Sequence, residues 1–330
     1  MKQKEKNYQF QSGLAELIPA FLDEKHRLGY KYEREYFELM NLDRFSLDYD
    51  CKNCLPEELV LAWTKQQPHQ SATTARSKIN IARELAKFMS RNGFEAYLYP
   101  ECMTPKQTHE HTPYIFTHEE IQRLFTTLDQ MRPVVESPKK HIIFPLLFRL
   151  LYCCGLRISE ALNLKVSDVD ANNGVLMIRD AKAYTDRLIP MDDSLTERCM
   201  WYKQNILLTA LPEQYFFPST DGLSYHVFTI RLAFRNLLWK SGISYGGRLV
   251  GPRLHDIRHT FAVHSLQKAV TAGKDAQEVI PLLAVYLGHK TYKGTNRYLH
   301  LTAEMFPEIL EQMETACGRL IPESAGAKND

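Results

Sequence analysis

The chain has 330 residues, of which 44% are hydrophobic and 24% charged, with 15 glycines and 16 prolines. That is ordinary globular composition, which excludes a disordered, fibrous or low-complexity protein, and the length suggests about two domains. Forty-one Lys and Arg stand against 39 Asp and Glu, a net charge of +2, so any surface for a polyanion has to be local. No apolar run reaches the ~18 residues of a membrane span, and Met1–Lys6 is not followed by the apolar stretch of a secretory leader. Seven cysteines read as reduced thiols in a cytoplasmic protein. Cys51 and Cys54 form a CxxC, but the nearest further ligands, Cys102, His109 and His111, are distant and irregularly spaced, so no metal is expected.

Residues 8–103 read as helices. Leu14, Leu17, Ile18, Phe21 and Leu22 recur at helical spacing; Tyr36, Leu39, Met40 and Phe45 continue the pattern beyond Gly29, and another helix opens behind Pro56. From Ser71 to Asn92, Ile79, Ile81, Ala82, Leu85, Ala86, Phe88 and Met89 share one side of a helix, and Arg76, Arg83, Lys87 and Arg91 the other. The basic stripe is either a solvated face or a set of phosphate contacts. Residues 104–113 are polar, contain two prolines and read as a linker.

Residues 114–320 read as mixed but mainly helical. Thr117 to Glu120 is a capping-box pattern, and His141 to Cys154 reads as a buried helix. Val175–Ile178 and Arg187–Pro190 read as a hairpin. Helices are expected around 194–210, 226–241, 256–270, 276–287 and 303–317. Residues 321–330 read as a flexible tail.

Five patches carry candidate chemistry. Gly155-Leu156-Arg157-Ile158-Ser159-Glu160 ends a helix at glycine and puts an Arg and a Glu three apart. Lys182 lies in the hairpin turn. His255 and Arg258 sit three apart at a helix start, within residues 231–258, which hold six basic residues and one acidic. Cations at a helix N-terminus are unfavourable unless an anion sits there. Leu287-Gly288-His289 delivers a histidine, and Tyr298 follows nine residues later. Each patch also has a plain structural reading: a surface ion pair, a solvated lysine, a core tyrosine. Together they supply two arginines, a lysine, two histidines and a tyrosine. That set suits attack on a phosphodiester, where charge builds on the non-bridging oxygens.

The order Arg, Lys, His-x-x-Arg, His, Tyr resembles the tyrosine recombinase (phage integrase) family, and GLRISE, LHDIRH, LGH and the tyrosine beyond it match that family's motifs. The resemblance covers about 114–315. It implies a mainly α fold with a small β-hairpin or sheet. It implies a two-domain C-clamp, with a helical (SAM-like) core-binding domain over 8–103 and a mixed α/β catalytic domain over 114–320. It implies Tyr298 as nucleophile, Arg157, Arg258, His255 and His289 as transition-state stabilisers, Lys182 as general acid, and Glu160 behind them, orienting Arg157 or His255. It implies 3′-phosphotyrosine links without metal or other cofactor. The partner would be double-stranded DNA with paired recombination sites, bound by a homotetramer, with or without partner recombinases, in the service of a mobile element. Against compact members of the family the segment from Arg258 to His289 is longer and carries an added loop, Lys268–Asp275, that resembles transposon-borne relatives, and the lysine turn departs from the family in having alanines where glycines are common. Two alternatives use the same residues or fold: a type IB topoisomerase, and a DNA-binding protein without chemistry.

Overall fold

The computed structural model describes residues 8–67, 70–105, 112–179, 186–247 and 251–288, with positions 298 and 301. The chain divides into two compact units, Met1–Glu110 and His111–Asp330.

The first unit is helical: α1 Leu17–Arg27, α2 Glu33–Ser46, α3 Glu57–Thr64 and α4 Ala72–Arg91. Each opens or closes where the sequence chemistry changes. Pro56 precedes α3, and the Ser71 hydroxyl accepts from the backbone N–H of Thr74 to cap α4. The apolar side of α4 is buried in full at Ile79, Ile81, Ala82, Leu85, Ala86, Phe88 and Met89. Most of these residues pack with Phe21, Leu39, Leu59 and Trp63 in one core. The carboxylate of Asp43 is fully buried and accepts from the Ser12 hydroxyl (2.6 Å), the Ser12 N–H (3.1 Å) and the Tyr8 hydroxyl (2.7 Å). A buried charge is tolerable only when bonded in this way, so it pins the lead-in to α1.

The second unit is built around α6, Lys140–Cys153, flanked by α5, His118–Asp129. In α6 Ile143, Phe144, Leu146, Leu147, Phe148, Leu150 and Leu151 are all buried, the mark of a helix covered on most sides. Thr117 and Glu120 form the expected capping box on α5. After α7, Ile158–Asn163, three antiparallel strands follow in the order β1 Val169–Asp170, β2 Val175–Ile178 and β3 Arg187–Pro190, with Leu176 opposite Ile189 and Val169 opposite Leu176. Four helices complete the described part: α8 Asp193–Ile206, α9 Val227–Lys240, α10 Asp256–Thr271 and α11 Ala276–Leu287. α6 packs against α5, α7, α8 and α10.

The fold is mainly α with a small sheet, as the sequence predicts. The strand boundaries of the hairpin are as expected. A two-residue third strand joins it, too short to carry a periodicity. Lys268–Thr271 is not an inserted loop but the last turn of α10, and the connection to α11 is only 272–275. The helix expected at 303–317 lies outside the described residues.

Candidate active site

Four chain segments end at one place: the turn after α6, the start of α7, the start of α10 and the end of α11. Two glycines allow this approach. Gly155 has φ +56°, and a Cβ there would stand 2.4 Å from the Phe261 ring and 3.0 Å from Leu287. Gly288 closes α11 with φ +66°, and its missing Cβ leaves room for the Arg187 guanidinium at 3.1 Å. Only glycine meets both demands at little cost.

Arg258 lies in the first turn of α10 and is 2% exposed. Its Nη1 donates to the Gly155 carbonyl at 2.8 Å and its Nη2 to the Leu287 carbonyl. The guanidinium therefore fastens the ends of α6 and α11 to the start of α10. Burial, and after it the charge of Arg157, lowers its pKa from the ordinary value, partly offset by Glu160 and by the Tyr298 phenol. It stays cationic at neutral pH.

Arg157 precedes α7. Its Nη1 donates to Glu160 Oε1 at 2.6 Å, its backbone N–H to Glu160 Oε2 at 2.8 Å, and its Nη2 to the Gly288 carbonyl at 3.1 Å. A third arginine joins them. Arg187, the first residue of β3, donates through Nη2 to Glu160 Oε2 at 2.9 Å and through Nε to the Tyr286 carbonyl at 3.1 Å. Arg258 Nη1 stands 3.7 Å from Glu160 Oε2. One carboxylate thus faces three guanidinium groups, which leaves two positive charges uncompensated. Burial by itself would raise the pKa of Glu160. The hydrogen bonds from Arg187 and from the Arg157 backbone outweigh it and hold the carboxyl below its ordinary value.

His255 immediately precedes α10. Burial, then the charges of Arg258 and Arg157, push its pKa down. Lowered to about 4, it leaves the imidazole neutral at pH 7. Tyr298 is 1% exposed, packed with Ile115, Ala262, Val263, Leu283 and Leu287. Its hydroxyl lies 3.1 Å from Nδ1 of His259, and it is close enough to Arg258 to act on it electrostatically.

Of the residues singled out from sequence, Arg157, Glu160, His255, Arg258 and Tyr298 are thus neighbours. Lys182 and His289 lie outside the described residues. Glu160 is bonded to arginines, and no hydrogen bond joins it to His255. Sequence reasoning passed over Arg187 and His259. A lone arginine opening a strand has no telling spacing. His259 stood inside the LHDIRH patch, but only its contact with a residue 39 positions away distinguishes it.

The basic stripe of the first unit is mostly engaged. Arg83 donates to the Tyr99 carbonyl and pairs with Glu101 at 3.6 Å, Lys87 pairs with Glu84 at 3.0 Å, and Arg91 with Glu24 at 2.7 Å. Arg76 is exposed and has no ion pair among the described residues. Exposed pairs such as those of Lys87 and Arg91 are worth about 0–1 kcal/mol, whereas the Arg83 side chain is only 17% exposed.

Among the described residues, no helix is long and apolar enough to cross a membrane, and no cluster of His, Cys, Asp and Glu could hold a metal ion.

Residues 115–305 match the pattern of the phage integrase family. The y4rB protein of Sinorhizobium fredii is 28% identical over 308 residues, 92% of this chain and 98% of its own. A tyrosine recombinase of Pseudothermotoga lettingae is 28% identical over 245 residues, 74% of this chain and 76% of its own. Among solved structures, the Tn1549 transposon integrase in complex with a circular intermediate DNA has a TM-score of 0.58 at 17% identity, covering 89% of this chain and 99% of that one. This company favours recombination over supercoil relaxation or DNA binding without chemistry. The family pattern spans every candidate residue from Arg157 to Tyr298, and the chain belongs to the phage integrase family, the tyrosine recombinases that cleave and rejoin DNA at specific sites.

Proposed function

We propose that the protein cuts and rejoins duplex DNA by attack of Tyr298 on a backbone phosphate, leaving a 3′-phosphotyrosine link and a free 5′ hydroxyl. The carrying observation is the meeting of Arg157 and Arg258 around one shared carboxylate, with the Tyr298 phenol near enough to Arg258 to act on it electrostatically. A phosphodiester entering there meets two unbalanced positive charges. They gain strength as the phosphorus becomes five-coordinate and its non-bridging oxygens take up charge. Arg157, at 35% side-chain exposure, offers its free edge to those oxygens. Arg258 stands behind as a fixed cation, since its Nη atoms are held by carbonyls.

Neutral His255 donates a hydrogen bond to a phosphate oxygen, and His289 does the same from beyond α11. Lys182, five residues before Arg187, gives a proton to the departing 5′ oxygen. Glu160 fixes Arg157 through two hydrogen bonds. The phosphotyrosine conserves the bond energy, so a second 5′ hydroxyl reverses the step with no energy source.

In this reading the unit within 8–103 is the core-binding domain, 104–113 the linker and 114–320 the catalytic domain. Arg83, Lys87 and Arg91 exchange their ion pairs for DNA phosphates, and exposed Arg76 meets one directly. The chain works in the cytoplasm as a homotetramer on paired sites, integrating or excising a mobile element. The test is Tyr298→Phe. The variant is expected to bind site DNA with unchanged affinity and to leave no covalent protein–DNA adduct on a nicked suicide substrate. An adduct formed by that variant would overturn the assignment.

A further inference from the structure

A phenol must lose its proton to become a nucleophile. Its ordinary pKa is near 10, so at pH 7 about one molecule in a thousand is ionised in water. The walls around Tyr298 are apolar, contributed by Ile115, by Ala262 and Val263 of α10, and by Leu283 and Leu287 of α11. Apolar walls oppose an isolated phenolate. The hydroxyl therefore gains from a proton acceptor already in contact with it.

We propose that His259 is that acceptor, the general base that takes the Tyr298 proton as the tyrosine attacks. The inference rests on the reading of Tyr298 as the nucleophile. His259 Nδ1 lies 3.1 Å from the Tyr298 oxygen, within reach of direct transfer. The ring is carried by α10 one residue after Arg258, which the Gly155 and Leu287 carbonyls hold fast. The imidazole is thereby aimed by the same helix that places a transition-state cation. Among the described residues, the charged and titratable groups near it include Arg258 and His255 on its own helix and Tyr298 opposite. The His255 ring lies edge-on at 4.9 Å. Being neutral, His255 adds no second positive charge to oppose the imidazolium that forms.

The step balances. The Tyr298 oxygen bonds to phosphorus and its proton passes to His259 Nδ1, with the other ring proton on Nε2. The bond from phosphorus to the 5′ oxygen breaks, and that oxygen takes a proton from the general acid. In rejoining, the 5′ hydroxyl gives its proton back to that same group and attacks phosphorus, the bond from phosphorus to the Tyr298 oxygen breaks, and His259 returns its proton to the departing phenolate.

The experiment is single-turnover cleavage of a nicked suicide duplex between pH 5.5 and 9.5. His259→Gln is expected to bind the duplex within about threefold of wild type and to cleave on the order of 10²–10⁴-fold more slowly at pH 7. Its rate should climb tenfold per pH unit toward pH 9, where wild type has levelled off. Added imidazole should accelerate His259→Ala. A rate within threefold of wild type at pH 7 would overturn the proposal. So would a deficit equal at every pH and indifferent to imidazole, which would make His259 a packing residue.

If the glutamine variant loses its fold, 3-fluorotyrosine at position 298 in the otherwise unaltered chain carries the test. With His259 as base, the acidic limb of the rate profile stays in place, and a limb that moves with the acidity of the phenol overturns the proposal. Failure of the nucleophile reading is seen separately, as an adduct that survives Tyr298→Phe.

Discussion

Removing the Glu160 carboxylate should cost more than removing any single surface charge. The group is 9% exposed and faces Arg157, Arg187 and Arg258 at 2.6, 2.9 and 3.7 Å. At an effective dielectric near 20, two unit charges about 4 Å apart attract by about 4 kcal/mol. Most of that repays the cost of taking them out of water. Truncation keeps the cost and loses the return, and measured losses for broken buried pairs run about 3–5 kcal/mol. Glu160→Ala should therefore lower the unfolding free energy in urea by about 3–5 kcal/mol. Glu160→Gln keeps one acceptor but turns an amide donor toward a guanidinium, and about 2 kcal/mol is expected for it, the range of one unmet buried group.

The partner experiment is a double-mutant cycle with Arg187→Ala. Each single change exposes the other's charge, so the double variant should be more stable than the sum of the singles predicts, by 1 kcal/mol or more. Both Glu160 variants should also cleave site DNA more slowly, because Arg157 loses two of its three bonds. A loss below 1 kcal/mol for Glu160→Ala, or additive singles, would refute the view that one carboxylate organises the three arginines.

Two further outcomes follow from the packing. Gly155→Ala places a left-handed residue's Cβ against Phe261 and Leu287; backbone strain of about 1–2 kcal/mol and overpacking of about 1–3 kcal/mol should together drop the melting temperature well below wild type, and an unchanged melting curve would contradict the tight approach. His264 is buried, stacked on His118 at 4.0 Å, and bonded to the Tyr152 hydroxyl at 2.9 Å. Burial, then the neighbouring imidazole, lowers its pKa to about 4. The unfolded chain then binds the extra proton between pH 6.5 and 4, so this stability is present above pH 6.5 and lost as the pH falls toward 4. His264→Asn, which keeps an acceptor for Tyr152, should flatten the fall in urea stability over that window; an equal slope in both proteins would show that another group titrates.

The helices were legible because their apolar faces are long and periodic. α4 has its buried side where the spacing of Ile79 to Met89 puts it, and Thr117 with Glu120 announces α5. β2 and β3 were legible from β-prone residues flanking a polar turn. β1 was not, because two residues carry no period, and its pairing depends on Val169 meeting Leu176 in space. α10 ends at Thr271, one residue beyond the expected 256–270, and the loop reading over Lys268–Asp275 fails at its first half: Gly273 and the polar residues around it resemble a loop, while Lys268–Thr271 complete a helical turn with buried Val270. At the site, the motifs pointed to the side chains that a phosphate would need, but not to what holds them. Glu160 could be paired by spacing with Arg157 alone. Its bonds to Arg187 and Arg258 cross 27 and 98 residues of chain, a distance that no local pattern encodes.

The rivet formed by Arg258 has a consequence for how the protein is made. Its guanidinium finds both of its carbonyl partners only after α6 has stopped at Gly155 and α11 has stopped at Leu287. Nascent or partly unravelled chains have neither socket, so their cutting chemistry is unassembled. On the proposed mechanism, an incompletely folded chain is thereby without the means to cut DNA.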